Sequence, residues 1–273
     1  MKKSELSKGD HLTQPVSPRR ATEVLVVLTI MVIAMGGMIR IYDAGESCPD
    51  WPTCFGTFGF DISEEEQGEW WDENPDEADS RGSGHRYTSF QIFTEWFHRL
   101  LAGALVGPLV IVNWFLVRKE IWNSPRVRGV SSLTLALILW QGAIGWLTVK
   151  FDNENWSVAI HLGSAMAFLM SLIWLWMEIR RDEEDLPNWI SFDPLVGMKW
   201  KKWIGILSFS TLITLFSGVY VSTTPGANYG CGVGGMLESW PLCNGKLIQG
   251  VDDWELQSQI CLLYTSPSPR DCL

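Results

Sequence analysis

Histidine is scarce in this sequence: 273 residues carry 4. His11 lies in a basic tail and His85 in an acidic loop, so only His98 and His161 fall inside apolar stretches. Charge is thin too, at 19% of residues, and the long apolar runs largely exclude it. Nothing resembles a nucleic-acid-binding surface, because the net charge is −10 and the basic residues sit in short clusters. The N-terminal apolar stretch is too long for an h-region and lacks a small-x-small exit, which argues against a cleavable signal. Glu5 and Asp10 interrupt what an organellar presequence would keep acid-poor. After Cys243 there is neither a long apolar run nor a histidine.

What the sequence has instead is apolar length. Hydrophobic residues make up 47% and collect in five runs, about Thr22–Ile39, Phe90–Val117, Val130–Val149, Ser157–Met177 and Trp203–Val221. Each is near the about 20 residues that cross a bilayer at about 1.5 Å rise apiece. The expected fold is therefore an all-α polytopic membrane protein, a four-helix transmembrane bundle plus a fifth helix. The expected order is a tail over 1–21, a four-helix half over 22–178 with an acidic outer loop over 41–89, and a linker over 179–202. A second half then begins over 203–256, and residues 257–273 read as a non-native tail that includes Cys261 and Cys272.

The charges set a direction. Lys2, Lys3, Lys8, Arg19 and Arg20 precede the first run, Arg118, Lys119, Arg126 and Arg128 join the second to the third, and Arg180, Arg181, Lys199, Lys201 and Lys202 join the fourth to the fifth. The loop between the first two runs holds Asp61, Glu64, Glu65, Glu66, Glu69, Asp72, Glu73, Asp76, Glu77 and Asp79. By the positive-inside rule the N-terminus is cytoplasmic and that loop is outside, in a prokaryotic plasma membrane. Within the loop, Asp61–Gly84 reads as a flexible insertion. Cys48 and Cys54 lie on the oxidising side, where a bridge between them competes with two free thiols.

Smaller signals place individual residues. Thr88-Ser89-Phe90-Gln91 offers a capping box for the second helix. Gly103 and Gly107, four apart, read as a small-xxx-small contact for another backbone. Gln141 is a hydrogen-bonding candidate inside the third helix, and Asn155 or Ser157 caps the fourth. Ser239-Trp240-Pro241-Leu242-Cys243 after the fifth run echoes Cys48-Pro49-Asp50-Trp51-Pro52-Thr53-Cys54 after the first, a weak internal repeat.

Thr94-Glu95-Trp96-Phe97-His98-Arg99 carries the chemistry. Ionisable groups within a membrane helix persist mostly where they bind or react. The second and fourth helices run the same way, which puts His98 and His161 at similar depth, ~12 and ~8 Å below their helix starts. Two such imidazoles suit the axial positions of a haem iron, and Arg99 suits a propionate. The blander alternative is that each histidine donates one interhelical hydrogen bond. Glu95, one turn outward of His98, suits acid/base work at the porphyrin rim; its own bland alternative is an i, i+4 ion pair with Arg99.

These residues are similar to those of the haem A synthase family of cytochrome-oxidase assembly. The resemblance rests on Glu95-x-x-His98-Arg99, on Cys48-Pro-Asp-Trp-Pro-x-Cys54 after Gly36-Gly37-x-x-Arg40, and on Gln141-Gly-x-x-Gly-x-x-Thr148-Val149. Ala159-Ile160-His161-Leu162 and Trp240-Pro-Leu-Cys-Asn-Gly245 complete it, so that it spans about Thr22 to Gly245. It implies an eight-helix enzyme of two four-helix halves, each with a histidine pair, that oxidises the C8 methyl of haem O to the formyl of haem A by successive hydroxylations and loss of water. It implies that Glu95, His98 and His161 form the substrate-haem side. Cys48 with Cys54, and Cys231 with Cys243, match the two outer-loop pairs of the family. The half that holds a haem b cofactor is expected to be missing here, which makes the chain an incomplete enzyme. Expected partners are haem O, membrane lipid, an unidentified electron donor, and haem O synthase or oxidase subunits. The competing functions are a bis-His membrane cytochrome for electron transfer and a non-catalytic haem-delivery or assembly factor.

Overall fold

The computed structural model describes residues 17–77, 81–120, 124–188, 190 and 194–223. The first helix, α1 (Pro18–Ile41), opens with Ser17 accepting from the Arg20 N–H and with Pro18 where no helical N–H partner is lost. After the loop comes α2 (Glu64–Glu73), then a second span made of α3 (Ser89–Leu100), a π turn (Leu101–Val106) and α4 (Gly107–Lys119). Three further helices follow: α5 (Pro125–Lys150), α6 (Asn155–Asp182) and α7 (Pro194–Thr223). Five helices are long and apolar enough to cross a membrane, matching the five runs of the sequence. Among the described residues there is no strand, only a single bridge between Cys54 and Thr57. The protein is an all-α integral membrane protein.

The second span starts as its sequence predicts. Thr88 Oγ1 accepts from the Gln91 N–H while the Gln91 side chain reaches back to the Thr88 N–H. Halfway along, the Gly107 N–H bonds to the Ala102 carbonyl, five residues back rather than four. Pro108 explains the wider turn, since its ring would press on the carbonyl four residues earlier in a regular α-helix and it has no N–H to donate. Among the described residues, Gly103 and Gly107 do not mark a close helix contact. A Cβ added at Gly103 meets nothing within 4 Å, and one at Gly107 meets only the Ala102 carbonyl of its own helix.

The chain forms two compact units, Met1–Val149 with Ser164–Ser191, and Lys150–Gly163 with Phe192–Leu273. In the first, Leu25 of α1, Val106 and Val110 of the second span, and Phe168 and Leu172 of α6 make one buried cluster. Val117, Val127, Val130, Leu175 and Ile179 make another, nearer the basic helix ends. Polar ties cross between spans: Asn113 Nδ2 donates to Thr22 Oγ1 at 3.0 Å, and Ser164 donates to Gln141. At the basic end Arg19 Nη1 meets Glu183 at 3.1 Å and Asp185 at 2.7 Å, and Asp182 accepts from the Ser124 N–H at 2.7 Å. In the second unit, a Cβ on Gly163 would lie 3.6 Å from the Phe216 ring, an ordinary packing distance.

Two further expectations are corrected. The stretch Asp61–Gly84 is not simply a flexible insertion, because residues Glu64–Glu73 form a capped helix. Ser63 and Glu66 make a reciprocal capping box there. Trp71 and Gln67 bury one side of α2 against Cys48, Cys54, Phe55, Ile62, Tyr87 and Ile92, while its acidic residues face outward. Residues 194–202, expected in the linker, are instead the first turns of α7, and the lysines Lys199, Lys201 and Lys202 ride on that helix.

Candidate functional site

The loop after α1 is built onto α3. Gln91 Nε2 donates to the Tyr42 and Asp43 carbonyls, at 3.1 and 3.2 Å. Further along, Phe55 and Gly56 both take positive φ, 49° and 73°, in a tight turn closed by Cys54 and Thr57 bonding each other's backbones. Cys48 and Cys54 are disulfide-bonded and buried, at 0% and 1% exposure. Trp96 Nε1 donates to the Phe58 carbonyl at 2.7 Å, fixing the far side of the loop to α3.

Glu95 points into this loop and is 5% exposed. Its Oε2 accepts from Ser47 Oγ and from the Cys48 N–H, both at 3.0 Å, and its Oε1 accepts from Arg99 Nη2 at 2.6 Å. Ser47 Oγ also lies 2.7 Å from the Ala44 carbonyl and 3.0 Å from that of Gln91, so one hydroxyl proton has three acceptors around it. The guanidinium on one oxygen and the N–H on the other fix this buried carboxyl group in one orientation.

Arg99 does not stand apart from that arrangement. Nη2 donates to the Cys48 carbonyl at 2.6 Å as well as to Glu95, and Nη1 donates to the Thr53 carbonyl at 3.0 Å and to that of Asp50. The i, i+4 ion pair with Glu95 is thus present. The propionate expected for Arg99 competes with four protein partners.

His98 lies one turn on and faces α1. Its Nδ1 is 3.1 Å from the Val32 carbonyl, which can only accept, so Nδ1 carries the proton and a neutral ring keeps its lone pair on Nε2. The ring packs beside Gly36 of α1, where a Cβ would lie at an ordinary contact distance of 3.5 Å from His98 Cε1. A ligating histidine is oriented in this way, by a carbonyl on its other nitrogen. No group of three or more His, Cys, Asp or Glu side chains able to hold a bare metal ion occurs among the described residues. The donor set fits an iron that a porphyrin already holds through four nitrogens and that asks the protein only for axial imidazole.

His161 lies six residues into α6, half-buried, in the second unit. His85 sits edge-on to Tyr87, with ring centroids 4.7 Å apart. His11, Cys231 and Cys243 lie outside the described residues. Ser47 and the Cys48 N–H, the partners of Glu95 from outside its own helix, were invisible to sequence reasoning because nothing in local spacing ties residue 47 to residue 95. Gln67, which holds the loop to Tyr87, was findable: Ser63-x-x-Glu66 is a helix-start pattern followed by Gln67 and Trp71 on one face.

A profile of the family described as Cytochrome oxidase assembly protein matches residues 19–262. The chain is similar to the "Heme A synthase" of Shewanella oneidensis, 31% identical over 157 residues, covering 58% of this chain and 44% of that protein. It is also similar to those of Novosphingobium aromaticivorans, 26% identical over 250 residues (85% of this chain, 66% of that one), and Erythrobacter litoralis, 28% over 252 residues (84% and 67%). The chain thus spans from under half to about two thirds of the length of these relatives. No solved structure matches it significantly. With a family match over most of its length, the chain belongs to the cytochrome oxidase assembly protein family.

Proposed function

We propose that the protein is a haem A synthase-type oxidoreductase of a prokaryotic plasma membrane, with its N-terminus cytoplasmic, that oxidises the C8 methyl of haem O to a formyl group. The observation that carries this reading is the α3 face itself. It holds an imidazole oriented by a backbone carbonyl and, three residues earlier, a buried carboxylate. The similarity to heme A synthases supports it. Bound haem O supplies both the iron and the methyl carbon that is oxidised. His98 offers Nε2 to that iron. His161, on a span of the same direction and at a similar distance from its start, offers the second imidazole. Glu95 holds or accepts a proton at the porphyrin rim, its position set by Ser47, the Cys48 N–H and Arg99. The Cys48–Cys54 loop, with Trp71 and Tyr87 buried beneath it, keeps water from that side.

A second reading has an observation of its own. Both Glu95 oxygens are engaged by the protein, so the carboxylate also makes sense as a purely structural anchor in a bis-His cytochrome or a haem-delivery factor. Haem extracted from membranes that make haem O and express the protein at the full length of its heme A synthase relatives separates these readings. The enzyme reading expects hydroxylated or formyl haem with the native sequence, and bound but unconverted haem O with Glu95→Gln. Conversion that survives Glu95→Gln, or no oxidised haem with the native sequence, contradicts it.

A further inference from the structure

We propose that Arg99 is a positioning residue that clamps the disulfide loop onto α3 and so sets the place of Glu95, rather than a partner of the haem propionates. The inference rests on the proposed role of Glu95 for its functional meaning, though not for its geometry. Arg99 lies one helical turn from Glu95, and its two terminal nitrogens reach three successive points of the loop, the carbonyls of Cys48, Asp50 and Thr53. The same Nη2 that bonds the Cys48 carbonyl bonds Glu95 Oε1. Glu95 Oε2 then returns to the loop through the Cys48 N–H and Ser47 Oγ. The result is a closed ring of contacts: α3 to loop through Arg99, loop to α3 through Glu95, and Arg99 to Glu95 directly. A planar fork with fixed donor directions can satisfy several carbonyls at once, whereas an ammonium is a point charge that cannot reproduce that spread. The side chain is 13% exposed, so its donors face protein rather than an open ligand cleft.

The buried disulfide reports on this clamp without any haem chemistry. At 0% and 1% exposure, Cys48 and Cys54 admit a reductant only when the loop lifts, and the ring through Arg99 opposes lifting. The test measures, on the purified membrane protein, the rate at which a soluble dithiol reduces Cys48–Cys54, alongside bound haem per protein and its absorption spectrum. Arg99→Gln and Arg99→Lys are each expected to speed reduction at least tenfold while keeping haem content and spectrum within twofold of native. Lys is expected to behave like Gln, because shape and not charge makes the clamp. A propionate partner predicts the opposite pattern. Haem content would fall in Arg99→Gln and be restored in part by Arg99→Lys, with reduction unchanged in both, and that result overturns the proposal. If Arg99→Gln does not accumulate, Arg99→Lys alone decides: faster reduction with full haem supports the clamp, and native reduction overturns it. Because reduction is read whether or not haem is converted, failure of the clamp is distinct from failure of the enzyme reading, which shows as unconverted haem O in the native protein.

Discussion

Two buried amides show how much the partners of a residue matter. Gln67 is 1% exposed; its Oε1 accepts from the Tyr87 N–H at 2.8 Å and its Nε2 donates to the Tyr87 and Ile62 carbonyls. Gln67→Leu orphans a buried N–H and loosens two carbonyls, at about 1–3 kcal/mol for an unsatisfied buried group. Thermal unfolding in detergent should show a lowered Tm. Asn113 is equally buried, but its Oδ1 has no partner, and its Nδ2 donates to a Thr22 hydroxyl that itself donates to the Pro18 carbonyl at 2.7 Å. Asn113→Leu therefore orphans nothing. The lost interhelical bond, worth about 0.6 kcal/mol on average in membranes, is offset by removing a buried unpaired carbonyl oxygen. The Tm of that variant should be unchanged or raised. The outcome that contradicts the argument is a fall as large as that of Gln67→Leu. Residues such as Thr88 and Gln91 were legible from sequence because capping is local. Ser47 was not, because its bond to Glu95 joins positions 48 apart.

At the scale of elements, the π turn and the basic-end ties carry predictions. A π turn is a one-residue insertion in an α-helix, and here Pro108 explains why the wider turn is kept. Deleting Gly103, whose Cβ space is empty, turns Leu101–Val106 into regular helix without rotating α4 relative to α3. Pro108 then sits in an ordinary helix interior, at about 3 kcal/mol. The deletion alone should lower Tm, and adding Pro108→Ala should recover most of the loss; no recovery would show that Pro108 is not the cause. The basic end is sensitive to pH. Hydrogen bonding from Arg19 and the charge of Arg180 hold the Asp185 carboxyl below its ordinary value of 3.8. A depressed folded-state value means that the contribution is fully present above pH 3.8 and is lost as pH falls through the lower folded value. Asp185→Asn should flatten the fall in Tm between pH 5 and pH 2.5, and an unchanged fall would assign the acid sensitivity to other carboxylates. Glu66 is shifted the same way by its capping box with Ser63.

For the whole molecule, the spans were readable because apolar length is counted along the chain, and all five runs became helices within a few residues at most ends. The early start of α7 escaped because Gly197 and the lysines Lys199, Lys201 and Lys202 interrupt the apolar residues of its first turns. The ordering of the acidic loop escaped as well. Its charge density suggested a solvated insertion, yet the face of α2 that holds Gln67 and Trp71 packs against the disulfide and Tyr87. That packing makes the loop a built cover over Glu95. In the function proposed above, His98 and His161 are the two imidazoles offered to one haem iron, with Glu95 beside it. The most direct measurement is the absorption and paramagnetic-resonance spectrum of purified protein with His98→Ala, His161→Ala and both. The expected result is a low-spin haem in the native protein, altered spin state or lost haem in each single variant, and no haem in the double. Full haem content with an unchanged low-spin spectrum in the double variant would contradict it.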